Sequence, residues 1–243
     1  MANTSAPSSG EAQDAGTASF LKAFEDAQVV ARYAEGPTRF VPGLEALHRM
    51  TDVLLSEAAP VEARVLVLGA GGGMELKALA STHPGWRFVG VDPARPMLDL
   101  AERTLGPLAA QVELVEGLID DAPEGPFDAA TCLLTLHFLD RAERLRTLRE
   151  IHRRLRPGAP FVAAHGSFPQ TPAERPVWLS RYAAYAVASG AEPAQAEDAR
   201  KSVEAMLPLM DPAEDEAVLR EAGFRDVGLF FAAFTWRGWI AHA

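Results

Sequence analysis

The chain has 243 residues, 48% of them hydrophobic, with a formal net charge of −10 and one cysteine, Cys132. That length can bury a sizeable core, a single cysteine excludes an internal disulfide, and no run approaches the ~18 apolar residues of a membrane-spanning helix. The N-terminus lacks the basic and apolar parts of a signal peptide and the acidic balance repels a phosphate backbone, so a cytoplasmic protein with no membrane or nucleic-acid partner is expected, its oligomeric state left open.

Residues 1–16 are mostly Ser, Ala, Gly, Pro and Asn, too poor in apolar groups to repay ordering, and read as a disordered tail. N-terminal helices are expected over 17–60. Phe20, Leu21, Phe24, Ala27 and Val30 recur at helical spacing and end near Gly36-Pro37. A second helix follows Gly43, with Leu44, Leu47, Met50, Val53 and Leu54 on one face. From 61 onward strands and helices alternate. Strands are expected at 65–68, 87–91, 112–115, 127–134 and 160–164, with helices at 74–82, 96–105 and 141–155, the last capped by Gly158. Between about 166 and 211 the alternation gives way to a polar loop and two helical stretches, 177–189 and 193–207, which read as a helical cap. A helix at 213–222 and strands at 227–235 and 238–241 close the chain, with a tight turn near Trp236-Arg237 making the last two antiparallel. The fold class is α/β: a doubly wound, Rossmann-like, seven-stranded, mostly parallel sheet with an antiparallel last strand.

The stretch richest in chemistry runs from Val65 to Glu75. Four apolar residues lead straight into Gly69-Ala70-Gly71-Gly72-Gly73, a buried parallel strand ending in a loop where backbone approaches a ligand. Nineteen residues after Gly73 the second strand ends at Asp92, placed to accept hydrogen bonds from ribose hydroxyls. A dinucleotide fingerprint needs a third glycine, and Met74 or Leu76 stands there instead. What remains suits a nucleoside with a short tail and no pyrophosphate.

In these motifs the chain resembles the class I S-adenosylmethionine-dependent methyltransferases, from about Val61 to the C-terminus. The resemblance implies S-adenosyl-L-methionine as cofactor, with Gly69, Ala70, Gly71 and Gly73 along its methionine part, and Asp92 and Pro93 at the ribose. It places Met97 beside the adenine and brings Gly117, Leu118, Ile119 and Leu133 to the same end of the sheet. Tyr33 or Arg39, between the N-terminal helices, would reach the methionine carboxylate. Two positions depart from the family's habit. Val67 stands where an acid often precedes the first glycine, and after Gly117 come Leu118 and Ile119 before Asp120, where the family often has Asp directly after the third strand.

Methyl transfer asks for an in-line approach, exclusion of water and, for oxygen acceptors, a base. His137 after the fourth strand and His165 at the end of the fifth are the candidate bases; no metal-ligand spacing appears, and serine-hydrolase and nucleotide-hydrolase motifs are absent. The expected function is S-adenosylmethionine-dependent methyl transfer to a small organic acceptor. Alternatives are a tRNA wobble-uridine carboxymethyl-transfer-like enzyme, which Arg39-Phe40-Val41-Pro42-Gly43 resembles, and a cofactor-binding module without transferase activity.

Overall fold

The structure, a computed structural model, describes residues 36–243; the expected tail, the first helix and Tyr33 lie outside the described residues. Chain order is α1 (Gly36–Phe40), α2 (Leu44–Ser56), β1 (Arg64–Leu68), α3 (Met74–Thr82), β2 (Arg87–Asp92), α4 (Arg95–Leu105), β3 (Val112–Glu116), β4 (Ala129–Leu133), α5 (Arg141–Arg154) and β5 (Pro160–Gly166). Then come α6 (Arg175–Ala188), α7 (Pro193–Met206), α8 (Pro212–Glu221), β6 (Arg225–Ala233) and β7 (Trp236–His242). No helix among the described residues is long and apolar enough to cross a membrane.

The seven strands form one sheet in the order β3-β2-β1-β4-β5-β7-β6. β1 to β5 are parallel, and β7 runs antiparallel to both β5 and β6. β1 lies at the centre, buried on both faces because its residues alternate between two cores. Leu66 and Leu68 face the core shared with α5 and α8, and Val65 and Val67 face the one shared with α2, α3 and α4. Full burial of such side chains contributes about 1.5–3 kcal/mol each.

α2 starts at Gly43, whose φ of 71° only glycine adopts readily, and buries Leu44, Leu47, Thr51 and Leu55. Val53, expected on that face, is 59% exposed; nine residues beyond Leu44 it has turned to the opposite side of the helix. Three further local expectations are corrected. Arg39 sits in the short α1 rather than a loop, α5 ends on Leu155 with Gly158 in the turn before β5, and the β6–β7 turn is Phe234-Thr235, two residues early. α6 and α7 form the cap, its base closed by a bridge between Ser167 and Met210. Phe40 of α1 packs at a tilt against Tyr182 of α6 with centroids 5.2 Å apart, and the Trp236 indole N–H donates to the Phe40 carbonyl at 2.9 Å.

Candidate active site

The carboxyl ends of β1, β2 and β4 open onto a cavity of about 420 Å³, within the usual range of about 300–1,000 Å³ for small-molecule sites. Gly69, Gly71, Asp92, Pro93 and Met97 line it, as do Gly117, Leu118, Ile119 and Leu133. Sequence reasoning thus reached about half of this wall. It missed Thr135, Phe138 and Leu139 after β4, and Glu143, Arg146 and Thr147 of α5, which carry no motif and arrive through the β4–α5 crossover. Arg39 does not line this cavity, and Ala70 lines a smaller one behind the loop.

The glycine loop is held closely. The amides of Gly69 and Ala70 both donate to the Val91 carbonyl, at 2.8 and 3.0 Å, and the Gly73 amide donates to Ala70 O at 3.0 Å. The Gly71 amide donates to Asp92 Oδ2 at 2.9 Å. These amides already have protein acceptors, so the loop offers close approach more than a set of free N–H groups for a pyrophosphate. Gly69 (φ 79°) has no room for a side chain, since a Cβ there would lie 1.9 Å from Thr135 Oγ1. Gly73 lines neither this cavity nor the smaller one behind the loop; a Cβ there would meet the Ala101 Cα at 2.8 Å, so it serves the packing of α3 on α4.

Asp92 also accepts from the Ala94 amide at 3.0 Å. Burial raises its carboxyl above the ordinary value, and the two backbone bonds offset part of that rise. A carboxylate offers about four lone-pair sites, so two remain for ligand hydroxyls. Asp120 faces Arg146, with oxygens 2.8 and 3.0 Å from Nη1, and the Asp121 carboxylate accepts from the Leu118 amide at 2.8 Å.

A second chamber of about 200 Å³ lies under the cap and meets the cofactor cavity at Leu134 and Phe138. Leu134 is one of the few non-glycine residues with positive φ, at 57°, strain of the kind that collects at functional sites. His137 lines the chamber and accepts from the Gly166 amide through Nδ1 at 3.4 Å. Burial, with His165 and Arg144 nearby, holds its pKa well below 6.5, so the ring is neutral near pH 7. With Nδ1 accepting, the proton sits on Nε2, and the ring is a donor there rather than a base. His165 lines neither of these chambers. It is 1% exposed, its Nε2 lies 3.1 Å from Asp215 Oδ1, and Asp215 pairs with the buried Arg144. The strand end that suggested a catalytic role instead points His165 at a polar cluster bridging α5 and α8.

The residues fit S-adenosylmethionine: Asp92 has spare acceptor sites, and Gly69 and Gly71 line the cavity without side chains that would fill it. Known proteins agree. A model described as a methyltransferase domain matches residues 66–161. Carboxy-S-adenosyl-L-methionine synthase of Aeromonas hydrophila is 25% identical over 221 residues, covering 89% of this chain and 88% of that protein. Cypemycin N-terminal methyltransferase of a Streptomyces species is 39% identical over 108 residues, or 43% of this chain and 42% of its own length. The solved structure of PigF with S-adenosylhomocysteine superposes with a TM-score of 0.66 at 19% identity, over 92% of this chain and 62% of that one, so this chain spans less than two thirds of that larger protein. The chain therefore carries a methyltransferase domain on the fold it shares with S-adenosylmethionine-dependent methyltransferases, and S-adenosylmethionine is its cofactor.

Proposed function

We propose that the enzyme methylates a small, neutral, mainly apolar acceptor bound under the cap. The observation that carries this reading is the lining of the second chamber. Phe40, Phe168, Tyr182 and Trp236 form an aromatic box with Leu179 and Leu207, and no Lys, Arg, Asp or Glu lines it among the described residues. Burying a charged acceptor there would cost several kcal/mol with nothing to repay it.

S-adenosylmethionine supplies a methyl carbon made electrophilic by its sulfonium. The chain's residues hold the acceptor in line and keep water out, and such positioning can supply about 7–11 kcal/mol of a barrier. The bound cofactor would yield its methyl to an acceptor lone pair, the carbon–sulfur electron pair staying on sulfur, and the methylated acceptor would shed its proton to bulk solvent as the product leaves. Burial keeps the Tyr182 phenol protonated well beyond its usual range, so Tyr182 and His137 Nε2 both act as donors. They orient an oxygen or nitrogen lone pair and do not remove its proton.

The test is release of S-adenosylhomocysteine with matched pairs of aromatic and aliphatic alcohols or amines, each neutral and carboxylated. Turnover is expected for neutral members only, and turnover confined to the carboxylated members overturns the reading. A second reading, formation of a carboxylated cofactor, draws support from relatives named for that product that match nearly the whole chain. Against it stands the absence of a Lys or Arg from the chamber lining among the described residues; Arg237 instead packs over Trp178, 5.6 Å from its ring centroid. Mass-spectrometric detection of a carboxylated cofactor after incubation would favour it.

A further inference from the structure

A small cavity of about 40 Å³ opens off the cofactor cavity, sharing Gly69, Gly71, Leu133 and Leu134 with it. Its far walls are Pro37, Leu44 and His48 on one side and Met74 and Glu75 of α3 on the other. Glu75 is 6% exposed, and its Oε1 is sealed from solvent with no hydrogen-bond partner. A carboxyl group in that position either keeps its proton or takes a cation. Among the described residues no Lys or Arg lines the cavity, and burial lowers the His48 pKa to about 4, leaving it neutral. Val67, below the loop, is fully buried and apolar.

The cofactor carries a cation of its own. With its ribose at Asp92, its amino-acid tail would run past Gly69 and Gly71, which line both cavities. The other carboxylates on the cofactor cavity are already engaged, Asp92 by the Gly71 and Ala94 amides and Glu143 by Arg146 at 3.1 Å. We propose that Glu75 is the anionic partner of the cofactor's α-ammonium group, received in the small cavity between α2 and α3. The proposal rests on the cofactor assignment and is independent of the acceptor.

Proton linkage follows from the same geometry. Burial pushes the Glu75 carboxyl up to about 7, and the Thr131 hydroxyl on β4 offsets part of that. The titratable groups that face it are His48 from α2 and Cys132 from β4, the first neutral and the second with its thiol pushed up by burial and by Glu75 itself. Pairing with an ammonium favours the ionised carboxylate. Binding of S-adenosylhomocysteine below about pH 7 is therefore expected to release a proton, and affinity to rise with pH through that region.

The experiment is isothermal titration of the full chain and of Glu75→Gln with S-adenosylhomocysteine and with 5′-methylthioadenosine, which keeps the nucleoside and lacks the amino-acid tail. Glu75→Gln is expected to weaken S-adenosylhomocysteine by roughly ten- to a hundredfold, as for loss of one charge-assisted bond, and to leave methylthioadenosine within about twofold. A homocysteine analogue without the α-amino group should lose a similar factor on the unaltered protein and release no proton. Equal weakening of both nucleosides by Glu75→Gln, or an amine-free analogue binding the unaltered protein as tightly as S-adenosylhomocysteine, overturns the proposal. If the unaltered protein binds neither nucleoside, the cofactor assignment fails and takes the proposal with it.

Discussion

Replacing Asp92 by alanine removes two kinds of hydrogen bond at once, and they can be measured apart. The carboxylate already accepts from the amides of Gly71 at 2.9 Å and Ala94 at 3.0 Å, which fixes the glycine loop against the end of β2. Its remaining acceptor sites are available to the two ribose hydroxyls, and hydrogen bonds to a charged acceptor contribute about 1.5–3 kcal/mol each. One decade of affinity is about 1.4 kcal/mol, so Asp92→Ala should weaken S-adenosylhomocysteine binding at least tenfold. It should also cost the apoprotein about 1–3 kcal/mol, because two partly buried amides lose their acceptor. Asp92→Asn keeps one oxygen but turns an amide nitrogen toward one of the two N–H donors. Its affinity should fall less than that of the alanine variant, while its stability still drops. Calorimetric titration and thermal melting of both variants separate the effects. An unchanged dissociation constant in Asp92→Ala, with or without a lower melting temperature, would refute the ribose contact and leave Asp92 as a brace for the loop.

Gly69→Ala should abolish cofactor binding, because the new Cβ would fall 1.9 Å from Thr135 Oγ1; adding Thr135→Gly should recover part of it in the same titration. Gly73→Ala should act on melting temperature instead, through its clash with the Ala101 backbone. Asp215→Leu should destabilise by about 3–5 kcal/mol, since it strands the buried Arg144, and Arg144→Met in the same chain should restore most of the loss in urea unfolding. Burial favours the protonated Asp215, yet His165 and Arg144 together hold its carboxyl below the usual value. Its contribution is therefore present above the ordinary aspartate pKa of about 3.9 and is lost as pH falls through the lowered value, so the double variant should show a shallower acid limb than the wild type.

Much of this architecture is legible in the sequence because parallel strands buried on both faces must be apolar throughout. Residues 65–68 can be little else, and glycines at their end announce a close approach. Asp92 follows from the same logic, one strand later. The β6–β7 turn was less legible, because Phe234 and Thr235 are not turn residues by type; Phe234 takes a φ of 49° under the demands of the hairpin. α1 escaped for want of length, five residues that hold through contacts with Tyr182 and Trp236 far along the chain. His165 shows the limit most directly. Its position at a strand end fits catalysis, and only the approach of α8 with Asp215 shows that it belongs to a buried cluster. Glu75 had no motif to mark it, and its meaning depends on which of its neighbours carry charge.

Leu134 belongs to the walls of all three chambers: the one for the nucleoside, the one under the cap, and the small one beside Glu75. Its backbone is held in the left-handed region and its amide donates to Ala164 O at 2.6 Å, so the side chain has little freedom to yield to one ligand without being felt by the others. Occupancy is then coupled. A cofactor packed against Leu134 would complete the wall on which the acceptor rests, and by thermodynamic reciprocity the acceptor would then tighten the hold on the cofactor by the same factor. Trimming this residue to widen the enzyme's choice of acceptor would therefore also loosen its grip on the methyl donor, and the two properties could not be engineered one at a time from this position.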